Sequence, residues 1–343
     1  MPTVLITGVS GFFGGHLARH LLANGWQVRG LDVVPLNEPD LEAVEFVSGD
    51  VGDAEAVGRL VKGVDAVIHN AALVPLSRSG KRYWTVNVDG TRTVLEACAR
   101  NKVSKVVYIS SSSVYGVPVE EPVTEQTPLN PMDDYGRSKA AGEAVCVEYR
   151  SSLDISIIRP RTIIGTGRLG ILQILFDWLR ENRRFYLFGS GKNRFQLVGA
   201  EDLALSCRLA CERSCRNEDF NIGAGEFTTL RGDLEAFARS VGSKSRFVSV
   251  PIAPARAFLS LLDRLRISPF VSYHYHIVDK DVWFDTSKAQ KVLGWKSGEG
   301  NVDMLAKAYE WYIEHKHELG NQAASTHRKS VKLGIIKLVK WLS

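Results

Sequence analysis

Residues 4–14 read VLITGVSGFFG. A short apolar run enters a glycine, and two more glycines follow at intervals of three, at Gly11 and Gly14. Helical apolar spacing then runs over 12–24. This pattern implies a strand, a tight turn and the mouth of a helix. Gly8 permits the turn, and Gly11 lets a pyrophosphate approach backbone N–H groups at the positive end of the helix dipole. Gly14 lets helix and strand pack closely. Ser10, Phe12 and Phe13, with the three glycines, are the cofactor contacts expected in that turn.

The same alternation continues along the chain. Apolar runs at 4–7, 27–33, 43–49, 66–72, 105–112 and 155–160 read as strands, several of them nearly continuous Val, Ile and Leu. Strands buried on both faces have this character. Helical patterns lie between them at 12–24, 53–62, 87–101 and 136–150. The fold expected is α/β, a Rossmann doubly wound parallel sheet with a smaller, interleaved C-terminal lobe. Residues 1–165 form the dinucleotide domain, with 196–223 returning to it. Residues 166–320 are mainly a substrate lobe, in which 169–183 reads as a helix. Phe258, Leu261, Leu262 and Leu265 recur there at helical spacing. Residues 321–343 form a basic tail.

Asp32 closes the second strand, where a carboxylate accepts hydrogen bonds from the adenosine ribose. It would repel the extra phosphate of NADP, and Val33 offers no counter-charge, so the cofactor expected is NAD. Asp50 and Val51 follow the third strand, where an acid can meet the adenine. Asn70, Ala71 and Ala72 follow the fourth, where small residues let the backbone run under the cofactor.

The 343 residues are 45% hydrophobic and 24% charged, ordinary globular values. No run is long enough to span a bilayer. The apolar start, without a basic leader, reads as cytosolic. The five cysteines suit that compartment. Cys207, Cys211 and Cys215 sit four apart and read as a packed helix face, not a metal site. The net charge is +5. Arg328, Lys329, Lys332, Lys337 and Lys340 supply that whole excess, so the body is balanced and no nucleic-acid partner is expected.

YGRSK places Tyr135 and Lys139 four apart at the start of a helix, on one face. A lysine ammonium near a phenol favours the phenolate, and such a tyrosine can exchange a proton with a carbinol. Taken together and in order, TGVSGFFG, HNAA, NVDGT, SSSSVYG, YGRSK, RPRTIIG and FDTSKAQKVLGW resemble the extended short-chain dehydrogenase/reductases. These are the NAD-dependent sugar epimerases, sugar dehydratases and 3β-hydroxysteroid dehydrogenase-like enzymes. The resemblance runs from residue 3 to about residue 313. It implies Ser111, three before the Val of VYG, as the hydroxyl on the reacting oxygen. Tyr135 becomes the acid/base, and Lys139 the holder of the nicotinamide ribose. Asn87 has a structural role, and Pro160 follows Arg159 at the strand end that meets the carboxamide. A homodimer through 87–101 and 136–150 is implied too.

The expected reaction is epimerisation at carbon 4 of a diphosphate-linked sugar, nucleotide- or polyprenyl-linked. Ser112, Arg161, Arg168, Lys192 and Arg194 are the candidate substrate contacts, the four cations forming a diphosphate cluster. The alternatives are a 3β-hydroxysteroid or sterol-type dehydrogenase and a non-catalytic Rossmann sensor. A dehydratase would want an Asp-Glu pair where Ser112 and Ser113 stand. Val331, Ile335, Leu338, Val339 and Leu342 share a face in the tail. Residues 328–342 therefore read as a helix for peripheral membrane contact or for docking on protein.

Overall fold

The computed structural model describes residues 1–75, 79–254, 256–257, 260 and 277–317. Four of the residues singled out above, Phe258, Leu261, Leu262 and Leu265, lie outside the described residues, as does the whole tail 321–343. Among the described residues, no helix is long and apolar enough to cross a membrane.

Strands β1 (Thr3–Thr7), β2 (Gln27–Asp32), β3 (Glu45–Ser48), β4 (Ala66–His69), β5 (Lys105–Ile109), β6 (Ile155–Pro160) and β10 (Asp219–Ile222) build one sheet. Its order is β3-β2-β1-β4-β5-β6-β10, with every neighbour parallel. Helices α1 (Phe12–Ala23), α2 (Ala54–Leu60), α3 (Gly90–Arg100) and α4 (Asp134–Tyr149) connect the first strands.

The apolar runs become strands because both faces are covered. Val4, Ile6, Val107 and Ile109 point into one core, packed with Leu17 and Leu21 of α1. Leu5, Val106 and Tyr108 point into the other, against Val57, Val94, Leu95 and Val145. Successive side chains of a strand face opposite ways, so one run serves two layers. Asp53 caps α2, accepting from Glu55 and Ala56 N–H, and Asp133 caps α4, accepting from Gly136 N–H at 2.7 Å. The expected helix over 87–101 is α3 preceded by a π turn at Thr85–Asp89.

A third core lies beyond β7 (Thr162–Ile164). There Leu169, Phe176, Leu187, Leu234, Phe237 and Leu305 pack together. It is built by α5 (Ile171–Arg180), β8 (Phe185–Phe188), α7 (Leu230–Ser240), β11 (Phe247–Val250) and α9 (Asn301–His315). Between these elements, β9 (Leu197–Gly199) pairs with β7, and α6 (Ala200–Glu212) packs on α1. β10 then takes the sheet edge beside β6. Helix α8 (Ser287–Leu293) joins the α1 core through Ala289 and Leu293. Cys207 and Cys215 are buried there with Cys211 against them; Cys207 and Cys211 share α6, whereas Cys215 stands beyond its end at Glu212, so the three do not form one helix face.

The chain leaves β1 for β2 on one side of the sheet and reaches β4 on the other. The loops at the carboxyl ends diverge there, and the crevice so formed is where such sheets bind ligands.

Candidate active site

A cavity of about 1120 Å³ opens along that crevice and continues into the third core. Gly8, Gly11, Phe12, Phe13, Asp32, Asp50, Val51, Asn70, Ala71, Ala72, Ser111, Ser112, Tyr135, Lys139, Pro160, Arg161 and Arg168 line it. Residues far apart in the sequence therefore converge on one space.

At its floor the glycine turn has the geometry its residues imply. Gly8 has a φ of +74°, and a Cβ there would meet Ala71 backbone at 2.8 Å. Its N–H donates to Leu31 O, and Asn70 Nδ2 donates to Gly8 O at 3.1 Å. Gly14 lies outside the lining, beneath the turn. A Cβ on it would fall 2.1 Å from Gly8 O. Helix α1 starts at Gly11 with no side-chain cap, so its first N–H groups have no such partner within the turn. Ser10 is also outside the lining. Its Oγ donates to Val34 O at 2.7 Å and ties the turn to the end of β2.

Asp32 is half-buried. Its carboxylate accepts from Ser10 N at 3.0 Å and Val34 N at 2.9 Å, and burial raises its pKa. Asp50 accepts from Gly52 N in its own turn. The floor at 70–72 is held from below by His69, which bridges the hydroxyls of Thr7 (2.7 Å) and Thr91 (3.0 Å). Full burial and the nearby Lys139 charge push this imidazole down to about 3, so it is neutral. Asn87 joins the floor to α4. It accepts from Leu73 N and donates to Leu73 O and Ser138 Oγ, and Ser138 bonds Tyr135 O.

Tyr135 and Lys139 stand on the first turns of α4, facing the end of β5. Tyr135 packs edge-on to Tyr83, with ring centroids 6.2 Å apart. Lys139 is 2% exposed, and its Nζ lies 4.1 Å from the centre of the Tyr108 ring. Burial lowers its pKa to about 8, which leaves the ammonium charged at neutral pH. Ser111 Oγ accepts from Ser113 N at 3.2 Å and lies 3.0 Å from Ser113 Oγ.

The four cations nominated as one diphosphate cluster do not assemble. Arg161 and Arg168 line the cavity. Arg161 is buried, its Nε donating to Gln196 O, and it lies between the rings of Phe195 and Phe284. Arg168 lies 5.2 Å over Phe12, and burial lowers its pKa to about 10. Lys192 and Arg194 are exposed and outside the lining, because the loop turns Arg194 outward onto Trp283 and Phe227.

One supporting network was not read from the sequence. Glu143 holds Arg159 through two bonds of 2.9 and 2.7 Å and also accepts from Ser110. Arg159 donates to Tyr115, which donates to Asn221. The network joins the segment after β5 to α4, β6 and β10. Its signal was available, since Glu143 stands four residues beyond Lys139 on the same helix.

Residues 4–223 match the NAD dependent epimerase/dehydratase family. The chain is similar to the UDP-glucose 4-epimerase of Mycolicibacterium smegmatis, 32% identical over 90% of this chain and 97% of that protein. It is also similar to sterol demethylase protein B of Methylococcus capsulatus, 29% identical over 91% and 98% of the two chains. Among solved structures, DesIV, a dTDP-glucose 4,6-dehydratase from Streptomyces venezuelae with NAD and TYD bound, superimposes with a TM-score of 0.74. It is 27% identical and covers 92% of this chain and 98% of its own. The chain belongs to the NAD-dependent epimerase/dehydratase family. It is an enzyme of that family, and its cofactor is NAD.

The residues present fit that cofactor. The uncapped start of α1 would hold the pyrophosphate, Asp32 would accept from the adenosine ribose, and Pro160, which lines the same cavity, would meet the nicotinamide end. Replacing Asp32 with Ala is expected to narrow the preference for NAD over NADP by about tenfold or more, worth roughly 1.4 kcal/mol. Calorimetric titration of both proteins with both cofactors measures it. Tighter NADP binding by the parent chain would contradict this role for Asp32.

Proposed function

We propose that this enzyme is an epimerase of a diphosphate-linked sugar, nucleotide- or polyprenyl-linked, acting by transient oxidation at carbon 4. The observation carrying this reading is the convergence of Ser111, Tyr135 and Lys139 on the cavity that also holds the glycine turn. Tyr135 takes the proton of the sugar hydroxyl and later returns it to the same oxygen, once the keto-sugar has rotated and carbon 4 has regained its hydride on the other face. Ser111 donates a hydrogen bond to the reacting oxygen, and Ser112 lies beside it. The Lys139 ammonium stabilises the Tyr135 phenolate and holds the nicotinamide ribose. When bound, NAD would supply a two-electron acceptor and donor for the hydride of the carbinol carbon. Arg161 and Arg168 supply the charge that faces a diphosphate.

A second reading, net oxidation of an apolar alcohol, is supported by the apolar walls of the lobe and by the sterol demethylase relative. The two differ in their use of cofactor. An epimerase holds NAD through purification and turns over many times without consuming it. The test supplies purified protein with nucleotide- and polyprenyl-linked sugars and no added cofactor, and follows carbon-4 isomers together with NADH. Isomerised sugar with no net NADH is expected. NADH accumulating in proportion to substrate consumed would establish the dehydrogenase instead.

A further inference from the structure

Most ligand cavities are lined largely by apolar side chains, so the number and state of the polar groups decide what such a wall can hold. In the lobe half of this cavity the apolar surface comes from Leu172, Leu175, Leu187, Leu234, Leu305 and the ring of Trp178. The polar side chains there are few: Tyr186, the Trp178 indole, Asp233 and Asn301.

Two of these four are spent inside the protein. Asp233 accepts from Thr228 N and Oγ1 and from Asn301 Nδ2 at 2.7 Å. Asn301 also accepts from Leu197 N and donates to Phe195 O. The indole N–H of Trp178 has no hydrogen-bond partner, and this residue is 5% exposed. None of the cations that line the cavity, Arg82, Lys139, Arg161 and Arg168, comes from the lobe helices α5, α7 or α9. A nucleoside placed beyond them would leave the ribose hydroxyls and base edge against leucines. A polar group buried without a partner costs about 1–3 kcal/mol.

We propose that the group carried beyond the diphosphate is apolar, a lipid-like chain seated against the leucines of α5, α7 and α9, and not a nucleoside. This rests on the sugar-epimerase reading and specifies the carrier for the same site. The substrate then has a sugar at Tyr135, phosphates at the two arginines and an apolar body in the lobe. Each of these parts meets a surface of matching polarity.

The test is calorimetry on the full NAD-loaded chain with methyl, butyl and octyl β-glucosides below their micelle concentrations, and with UDP. Affinity is expected to rise at least about tenfold from butyl to octyl glucoside, because each methylene leaves water. UDP is expected not to displace the octyl compound. Leu172→Gln, similar in size but polar, should remove most of the dependence on chain length, whereas Leu172→Met should keep it. Tyr135→Phe should also keep it, because binding is measured without turnover. Loss of the epimerase reading through net NADH formation would therefore be distinguishable from loss of this one. Affinity independent of alkyl length, or displacement of octyl glucoside by UDP, would overturn the proposal.

Discussion

Tyr135→Phe is expected to lower turnover by about 10²–10⁴-fold, the usual share of a positioned acid/base, while leaving NAD affinity within about twofold. The substitution removes one oxygen and keeps the ring, so the edge-on packing against Tyr83 survives. The Ser138 contact also survives, because it uses the Tyr135 backbone carbonyl. The loss should therefore fall on the chemical step and not on the fold. Rapid-mixing measurements of the first turnover, set beside calorimetric NAD titration, separate the two. Near-parental turnover in the variant would remove Tyr135 from the mechanism and shift attention to the serines at 110–113.

Gly14→Ala is expected to act by a different route, on cofactor binding and stability. The added carbon would sit 2.1 Å from Gly8 O and 2.7 Å from Val9 Cα, and both obstacles are backbone. Side-chain rotation cannot relieve such a clash, so α1 must move away from β1. Overpacking of this kind costs about 1–3 kcal/mol or more, and a shift of the α1 start costs about 10–100-fold in NAD affinity. Gly58→Ala serves as the control. A Cβ there meets nothing within 4 Å, and Ala is a better helix former than Gly by about 0.5–1 kcal/mol. Thermal unfolding with and without NAD reads both effects. Equal stability and equal NAD affinity in Gly14→Ala and the parent would contradict the close packing of turn and helix.

The first half of the chain was legible because its signals are local. The runs at 4–7, 66–72 and 155–160 had one physical explanation, burial on two faces, and they became β1, β4 and β6. The glycine turn and the Tyr135–Lys139 spacing were legible for the same reason, each being fixed within a few residues. The side chains that converge from separate elements were harder to read. Lys192 and Arg194 looked like substrate contacts because charge was counted along the chain. Their direction is set by tertiary packing, here the stacking of Arg194 on Trp283 and Phe227. Ser10 read as a cofactor contact, yet its hydroxyl is used within the loop to hold Val34 O. Of the Glu143–Arg159–Tyr115–Asn221 network only the Lys139–Glu143 spacing is local; the partners of Glu143 come from other elements, whose adjacency the sheet order reveals. The polarity of the lobe cavity was equally hidden, since its lining is drawn from α5, β8, α7 and α9.

The most direct test of the central claim, that one cavity presents NAD to Tyr135, is a crystal structure of the full chain with NAD. The account predicts the pyrophosphate over the first turn of α1 at Gly11–Phe13 and the adenosine ribose on Asp32. The nicotinamide should lie between the Pro160–Arg161 strand end and the Tyr135 hydroxyl, with Lys139 on its ribose. NAD bound outside this crevice, or a nicotinamide directed away from Tyr135 with Lys139 unengaged, would contradict it.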